Sequence, residues 1–270
     1  MYFITISEMF GTEGEKIARQ VSGKLNYAIF GEEELRKAAD QMGFLTDVQK
    51  LDEKGPSFLE RFFSEKPKVY LDRLQATIFE VAKKGDAVFF GRGSQLLLHS
   101  FDCALHILVT GSMEKRIERI MRDKGVEREI AERIMHQSDH DKERFLRFAF
   151  NKDWLNPQLY DLILNTDKLS IDSAVRMVVD AAKSDEIKSC GIDSVKLLGK
   201  LALHRKVESA LLEAGLVNPY LFMSVEDPDH VRLYGLANSS EEKETAAKVI
   251  TGIKGIKKIT NDLVVSRKYA

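Results

Sequence analysis

The sequence predicts an α/β protein with a parallel sheet covered by helices on both faces, followed by a smaller α+β unit. In the first part, short apolar runs without strict alternation are separated by long amphipathic stretches, as in sheets that are buried on both sides. After a polar stretch the order changes to α-β-β-α-β, and Asp227-Pro228-Asp229 is typical of a hairpin turn. We therefore predict a first domain at 1–184, a linker at 185–193 and a second domain at 194–270.

Each predicted element follows from local pattern and turn residues. In the first domain, strands are predicted at 2–7, 87–90, 105–110 and 161–166, and helices at 14–25, 68–83, 113–124, 127–150 and 171–183. Strands separated by helices favour parallel pairing with right-handed crossovers. In the second domain, helices are predicted at 194–214 and 240–251, and strands at 220–225, 230–237 and 259–266.

Composition excludes several classes of function. The 41 Lys and Arg residues are balanced by 42 Asp and Glu residues. The chain therefore lacks the basic excess that phosphate-backbone binding needs, and no nucleic-acid partner is expected. No apolar run approaches the ~18 residues of a membrane span. The two cysteines, Cys103 and Cys190, do not indicate a disulfide framework. We expect a cytoplasmic protein.

The turn after the first predicted strand is a candidate phosphate loop. A strand, a glycine-containing loop and a helix start can direct successive backbone N–H groups at a phosphate. In the full pattern G-x-x-x-x-G-K-[ST], Glu8 would replace the first glycine, Glu13 the second glycine and Gly14 the lysine. An ordinary strand-turn-helix connection, relaxed by Gly11 and Gly14, explains this stretch about equally well.

Arginines follow two further strands. Gly91-Arg92-Gly93 places an arginine at the carboxyl edge of the sheet, where open α/β folds bind ligands. The guanidinium fork suits a phosphate oxyanion, although a surface turn would also explain this residue. Arg116, Arg119 and Arg122 begin a basic helix after the next strand, for which a solvated face is the alternative.

A dense polar patch occupies 136–144. His136 and His140 have the i,i+4 spacing of a metal pair, but the pattern lacks the glutamate of H-E-x-x-H and a third ligand. We therefore predict no metal site. A charged helix that moves over a nucleotide is the preferred interpretation, with Lys142 and Arg144 as charge donors.

Taken in order, these features resemble a P-loop nucleoside-monophosphate kinase, and more narrowly the cytidylate kinase-like family. The residues that carry the resemblance are Ile4-Thr5-Ile6-Ser7, Gly11 with Gly14, 88–93, 114–117, 139–144, 152–154 and 160–166. The match covers about 1–184. Its combination of motifs is much more specific than any one of them.

The resemblance implies transfer of the γ-phosphoryl group of ATP, with Mg²⁺, to a nucleoside monophosphate such as CMP. By position, the residues that would cradle the ATP phosphates are Gly11, Thr12, Glu13, Gly14, Glu15 and Lys16. Arg92 would hold the acceptor phosphate, and Arg116 with Arg144 would neutralise the transferring group. Asp139 and Lys142 would belong to a lid. Such chemistry depends mainly on positioning and electrostatics.

A second hypothesis is a catalytically impaired, kinase-like nucleotide sensor or scaffold. It is motivated by Glu13, Gly14 and Glu15 in the loop. A carboxylate ~4 Å from a phosphate charge costs ~1 kcal/mol in water and ~4 kcal/mol at an effective dielectric constant near 20.

The C-terminal domain resembles a BON domain. The residues that carry this resemblance are 231–235, Ala246-Ala247, Gly255-Ile256 and 261–265. It implies a regulatory or interaction module that binds a phospholipid or a protein partner. A packed module that only forms a homo-oligomer is an equally open alternative.

Overall fold

The computed structural model describes residues 2–44, 67–187 and 189–266. Contacts within the chain divide them into two compact units. The first holds the described residues of 2–38 and 84–191, and the second holds those of 39–83 and 192–266. The helix predicted at 68–83 therefore falls in the second unit. The predicted domain boundaries at 184 and 194 stay a prediction.

The first unit is built on a five-stranded sheet. Its strands are β1 Phe3–Glu8, β2 Ala28–Phe30, β3 Ala87–Phe90, β4 Ala104–Thr110 and β5 Leu162–Asn165. They lie in the order β2-β3-β1-β4-β5, and every neighbouring pair is parallel. The predicted parallel sheet is therefore confirmed. Strand β2 was not predicted, because three residues are too few to show a periodicity.

Helices connect these strands, and a further helix follows the last strand. Those that precede residue 185 are α1 Gly14–Leu25, α2 Glu32–Gln41, α3 Pro67–Ala82, α4 Ser94–Leu97, α5 Met113–Lys124, α6 Arg128–Phe150 and α7 Ile171–Ala182. The side chains of Ser112 and Ser170 accept hydrogen bonds from backbone N–H groups in the first turns of α5 and α7, which fixes where these helices begin. In the described part of the chain, no helix is both long and apolar enough to cross a membrane.

The core of the first unit explains why its strands lack strict alternation. Ile4 and Ile6 of β1 belong to one buried cluster with residues of α1 and α7. Phe3, also buried, instead makes edge contacts with Phe89 and Phe101. A strand that is covered on both faces needs apolar side chains on both. Because the strands are parallel, the carboxyl ends of β1, β3 and β4 meet at one edge of the sheet.

The second unit contains α3, α8 Ile192–Glu213, β6 Leu221–Asp227, β7 His230–Ala237, α9 Ser240–Thr251 and β8 Lys258–Val265. Strand β7 lies between β6, its antiparallel partner, and β8, its parallel partner. Val231 and Leu233 of β7 are buried in a cluster with Val207 of α8 and Ile250 of α9. The predicted α-β-β-α-β order is confirmed.

Helices α3 and α8 are joined by polar contacts. Arg73 of α3 lies 2.6 Å from a carboxylate oxygen of Glu213 and donates to Ser209 Oγ at 3.2 Å. Asp72 is 1% exposed, and Arg205 of α8 lies 3.4 Å from its carboxylate. Burial raises the pKa of Asp72 to about 6, because desolvation disfavours the charged form.

Cys103 and Cys190 are paired as a disulfide, with 5.1 Å between their Cα atoms and a sequence separation of 87 residues. The expectation of no disulfide framework did not anticipate this bond. It rested on the number of cysteines and on the expected compartment. Neither reveals how close two residues that are far apart in the chain lie in the fold.

Candidate active site

The loop between β1 and α1 is a tight turn. Gly11 has φ +88° and Glu13 has φ +63°, both in the left-handed region. The hydroxyl of Thr12 donates to the carbonyl of Met9 at 2.8 Å, inside the loop. A Cβ on Gly11 would lie 2.9 Å from the carbonyl oxygen of Arg116 in α5. Glycine is therefore required there by both the backbone angle and the close approach.

The interior of this loop contains the carboxylate of Glu8, the last residue of β1. The N–H of Gly14, at the start of α1, donates to Glu8 Oε2 at 2.7 Å. The hydroxyl of Thr12 lies 3.3 Å from the same oxygen. Backbone N–H groups at a helix start are those that would face a phosphate. Here the chain's own carboxylate takes one of them.

The other two glutamates of the loop lie at its rim. Glu13 is 2.7 Å from Lys16 Nζ, 3.0 Å from Arg122 Nη2 and 3.5 Å from Arg119 Nε. Glu15 is exposed and pairs with Arg19 at 2.8 Å. Both glutamates are therefore compensated by cations. Sequence reasoning treated these two as the obstacle to a phosphate and noted Glu8 only as a missing glycine.

Helix α6 contacts the loop through two residues that lie three positions apart, on one helical face. Asp139 accepts a hydrogen bond from the N–H of Phe10 at 3.0 Å. Lys142 contacts the carbonyl of Glu8, and its Nζ lies 4.8 Å from the ring centroid of Trp154. The structure thus brings both predicted lid residues to the loop. Their role as a lid stays a prediction.

The three predicted catalytic arginines have different surroundings. Arg116 is buried, pairs with Asp139 and donates to the carbonyl of Phe10 at 2.7 Å. Arg92 has a left-handed backbone, with φ +60°, and pairs with Glu32 at the start of α2. Arg144 is exposed on α6, two residues beyond Lys142 and so on a different helical face.

Burial shifts the pKa values of three groups in the site. Desolvation raises the pKa of Glu8, and the nearby charge of Lys142 opposes this shift. Desolvation lowers the pKa of Lys142, whereas Glu8 and Asp139 act in the opposite direction. Burial also lowers the pKa of Arg92, and Glu32 opposes it. The site therefore contains its own counter-charges.

The donor groups of this arrangement do not fit ATP and Mg²⁺ as they stand, because the N–H of Gly14 is already bonded to Glu8. Asp139 is paired with Arg116. Within the described ranges, no group of three or more His, Cys, Asp or Glu side chains is placed to hold a metal ion. His136 and His140 are both exposed. We assign no residue to magnesium.

A parallel five-stranded sheet with a glycine-containing loop at its carboxyl edge defines a P-loop kinase-like protein. The model of the cytidylate kinase-like family matches residues 3–168, more than half of the chain, and the chain therefore belongs to this family. The model of the BON domain matches residues 201–267.

Two curated relatives resemble the first part of the chain. The cytidylate kinase of Methanocaldococcus jannaschii is 24% identical over 181 residues, which are 66% of this chain and 96% of that protein. The cytidylate kinase of Pyrobaculum islandicum is 27% identical over 184 residues, 67% of this chain and 92% of that protein. A solved structure, an uncharacterized protein from Eubacterium ventriosum, aligns with a TM-score of 0.55 at 20% identity and covers 67% of this chain and 97% of its own. That likeness shows the fold.

Proposed function

We propose that this protein transfers a phosphoryl group from ATP to a nucleoside monophosphate, with CMP as the acceptor to test first, in the cytoplasm. The observation that carries the proposal is the convergence of two cations on the loop after β1: Arg116 donates to the carbonyl of Phe10 at 2.7 Å, and Lys142 contacts the carbonyl of Glu8. Family membership supports phosphoryl transfer, and the names of two relatives support CMP.

Arg92 is proposed to hold the acceptor phosphate. Its partner Glu32 has a side chain that is 61% exposed, so an acceptor phosphate can replace that carboxylate at the guanidinium. Gly91 and Gly93, with φ +69° and +73°, continue the left-handed backbone on either side and hold the arginine at the end of β3. ATP would supply the group to be transferred.

Arg116 and Arg144 are proposed to neutralise the developing charge. Arg116 also fixes the loop, since it bonds the carbonyl of Phe10. The contacts of Asp139 and Lys142 hold α6 against the same loop. These side chains therefore orient the site and limit the access of water, which strengthens electrostatic interactions with a substrate.

The first test is calorimetric titration with Mg-ATP and then with CMP, followed by a turnover assay. Arg92→Ala should lower the rate of CMP phosphorylation by about 30-fold or more, because a guanidinium-phosphate contact of roughly 2 kcal/mol is lost. Arg133→Ala, an exposed arginine of α6 that pairs with Glu129, is the matched control and should leave the rate unchanged. Unchanged turnover in Arg92→Ala would exclude this residue as the acceptor ligand.

The second candidate function is a nucleotide sensor or scaffold without turnover. It is favoured by the position of Glu8 inside the loop. In that case no phosphorylated product forms with any nucleoside monophosphate; a sensor still binds a nucleotide or monophosphate in calorimetry, and a scaffold binds neither.

For the second unit we propose contact with a phospholipid surface. The outward face of its sheet exposes Phe222, Tyr234, Leu236 and Val264, and the first two rings stack with centroids 5.7 Å apart. Co-sedimentation of the full chain with phosphatidylglycerol vesicles tests this proposal. Absence from the pellet would favour the alternatives, a protein partner or a homo-oligomer. Analytical ultracentrifugation of the chain alone detects the homo-oligomer and so distinguishes the two.

A further inference from the structure

One carboxylate lies where a phosphate loop would hold its ligand. Glu8 Oε2 accepts from the N–H of Gly14 at the start of α1 and lies close to the Thr12 hydroxyl. We propose that Glu8 is the resident anion of this loop, and that a nucleotide phosphate binds there only when the Glu8 carboxylate leaves. The inference rests on the proposed function, since that function identifies the ligand as a nucleotide.

The two anions cannot share the position. A Cβ on Gly14 would lie 2.8 Å from Glu8 Cβ and 2.9 Å from Glu8 Oε2, so the side chain of Glu8 fills the space that this glycine leaves. A phosphate oxygen would need the same N–H, at a distance of about 2.9 Å. It would also be repelled by a carboxylate at contact distance. Binding of one therefore requires displacement of the other.

The other loop glutamates do not compete in this way. The carboxylate of Glu13 is held by cations at the rim, and Glu15 pairs with Arg19 on the exposed side of α1. Glu8 also differs in its solvation. Its pKa is raised because desolvation exceeds the compensation from Lys142, Gly14 and Thr12.

The chain contains a built-in reporter of this displacement. Trp154 is its single tryptophan, and Lys142 lies over the Trp154 ring while it contacts the carbonyl of Glu8. The charge of the Glu8 carboxylate also acts on Lys142, so replacing that carboxylate by a phosphate changes the electrostatic surroundings of the indole. Its fluorescence measures loop occupancy without requiring turnover.

The experiment compares the wild-type chain with Glu8→Ala and Glu8→Gln, titrated with inorganic tripolyphosphate by Trp154 fluorescence and by calorimetry. We expect Glu8→Ala to bind at least about tenfold more tightly. Glu8→Gln keeps the size of the side chain without its charge and should bind with intermediate affinity. Glu129→Gln, which removes an exposed carboxylate of α6, is the matched control and should equal the wild type.

The outcomes separate this inference from the proposed function. Equal or weaker binding by both folded Glu8 variants, with wild-type circular dichroism, would overturn the inference even if the wild type phosphorylates CMP. Tighter binding by the variants, with no CMP phosphorylation by any of the proteins, would uphold the inference and reject the proposed kinase activity. If Glu8→Ala does not fold, the glutamine variant decides alone.

Discussion

At the scale of single residues, two glycines with left-handed backbones have very different surroundings. Gly93 has φ +73°, and a Cβ on it would lie 2.5 Å from the ring of Phe150. Gly125, the C-cap of α5, has φ +65° and nothing within 4 Å of that position. The two sites share the same backbone requirement, but only the first also has a steric one.

Gly93→Ala should therefore lower the free energy of unfolding by about 2–5 kcal/mol, the sum of left-handed strain and overpacking. The matched variant Gly125→Ala should lower it by about 1–2 kcal/mol, from strain alone. Urea denaturation measures both. Equal losses would show that Phe150 moves aside at no cost.

Residue-scale reasoning from the sequence located the cations of the site better than their partners. Arg92 and Arg116 were recognisable because each follows a predicted strand, and the carboxyl ends of parallel strands meet at one edge. The sequence did not reveal that Glu32 pairs with Arg92, or that Glu8 occupies the loop where a phosphate is proposed to bind. Those contacts depend on the helix that follows β2 and on the backbone angles of the loop, and neither can be derived from spacing along the chain.

At the scale of elements, the α3 and α8 pair contains a buried acid whose titration is coupled to folding. The pKa of Asp72 is raised from 3.8 to about 6. The folded state therefore binds this proton more tightly than the unfolded chain does. The stability that Asp72 contributes is present in full below about pH 4 and is lost as the pH rises through about 6.

Asp72→Asn removes this titration. Between pH 4 and pH 7, the free energy of unfolding of the variant should rise relative to that of the wild type by about 2–3 kcal/mol. Urea unfolding at a series of pH values measures the difference. A difference between variant and wild type that stays flat with pH would contradict the assigned shift.

Helices and strands were predicted correctly where the hydrophobic pattern repeats over a long segment. Helix α1 has the predicted bounds, Gly14–Leu25, because its five buried residues recur at helical spacing. Helix α2 was missed, since only Leu35 and Ala38 are buried along it. A helix of one turn, α4, was missed for the same reason as β2, because it is too short to show a period.

At the scale of the whole molecule, the disulfide between Cys103 and Cys190 closes a long segment of chain. Cross-links of this length stabilise by up to about 4 kcal/mol through the entropy of the unfolded chain. The oxidised protein should therefore have a higher Tm than the protein in dithiothreitol. With or without dithiothreitol, Cys190→Ser should have the same Tm as the reduced wild type. If reduction leaves the Tm of the wild type unchanged, the bond does not constrain the unfolded state.

The position of β1 in the sheet has a consequence for synthesis on the ribosome. Residues 3–8 are synthesised before the other strands of this sheet, yet β1 lies between β3 and β4, and β4 ends only at Thr110. The central strand must therefore wait for about a hundred further residues before it gains both neighbours, and a long loop must close around it. Until then the proposed site around Glu8 is incomplete, because α5 and α6 follow Thr110 in the chain.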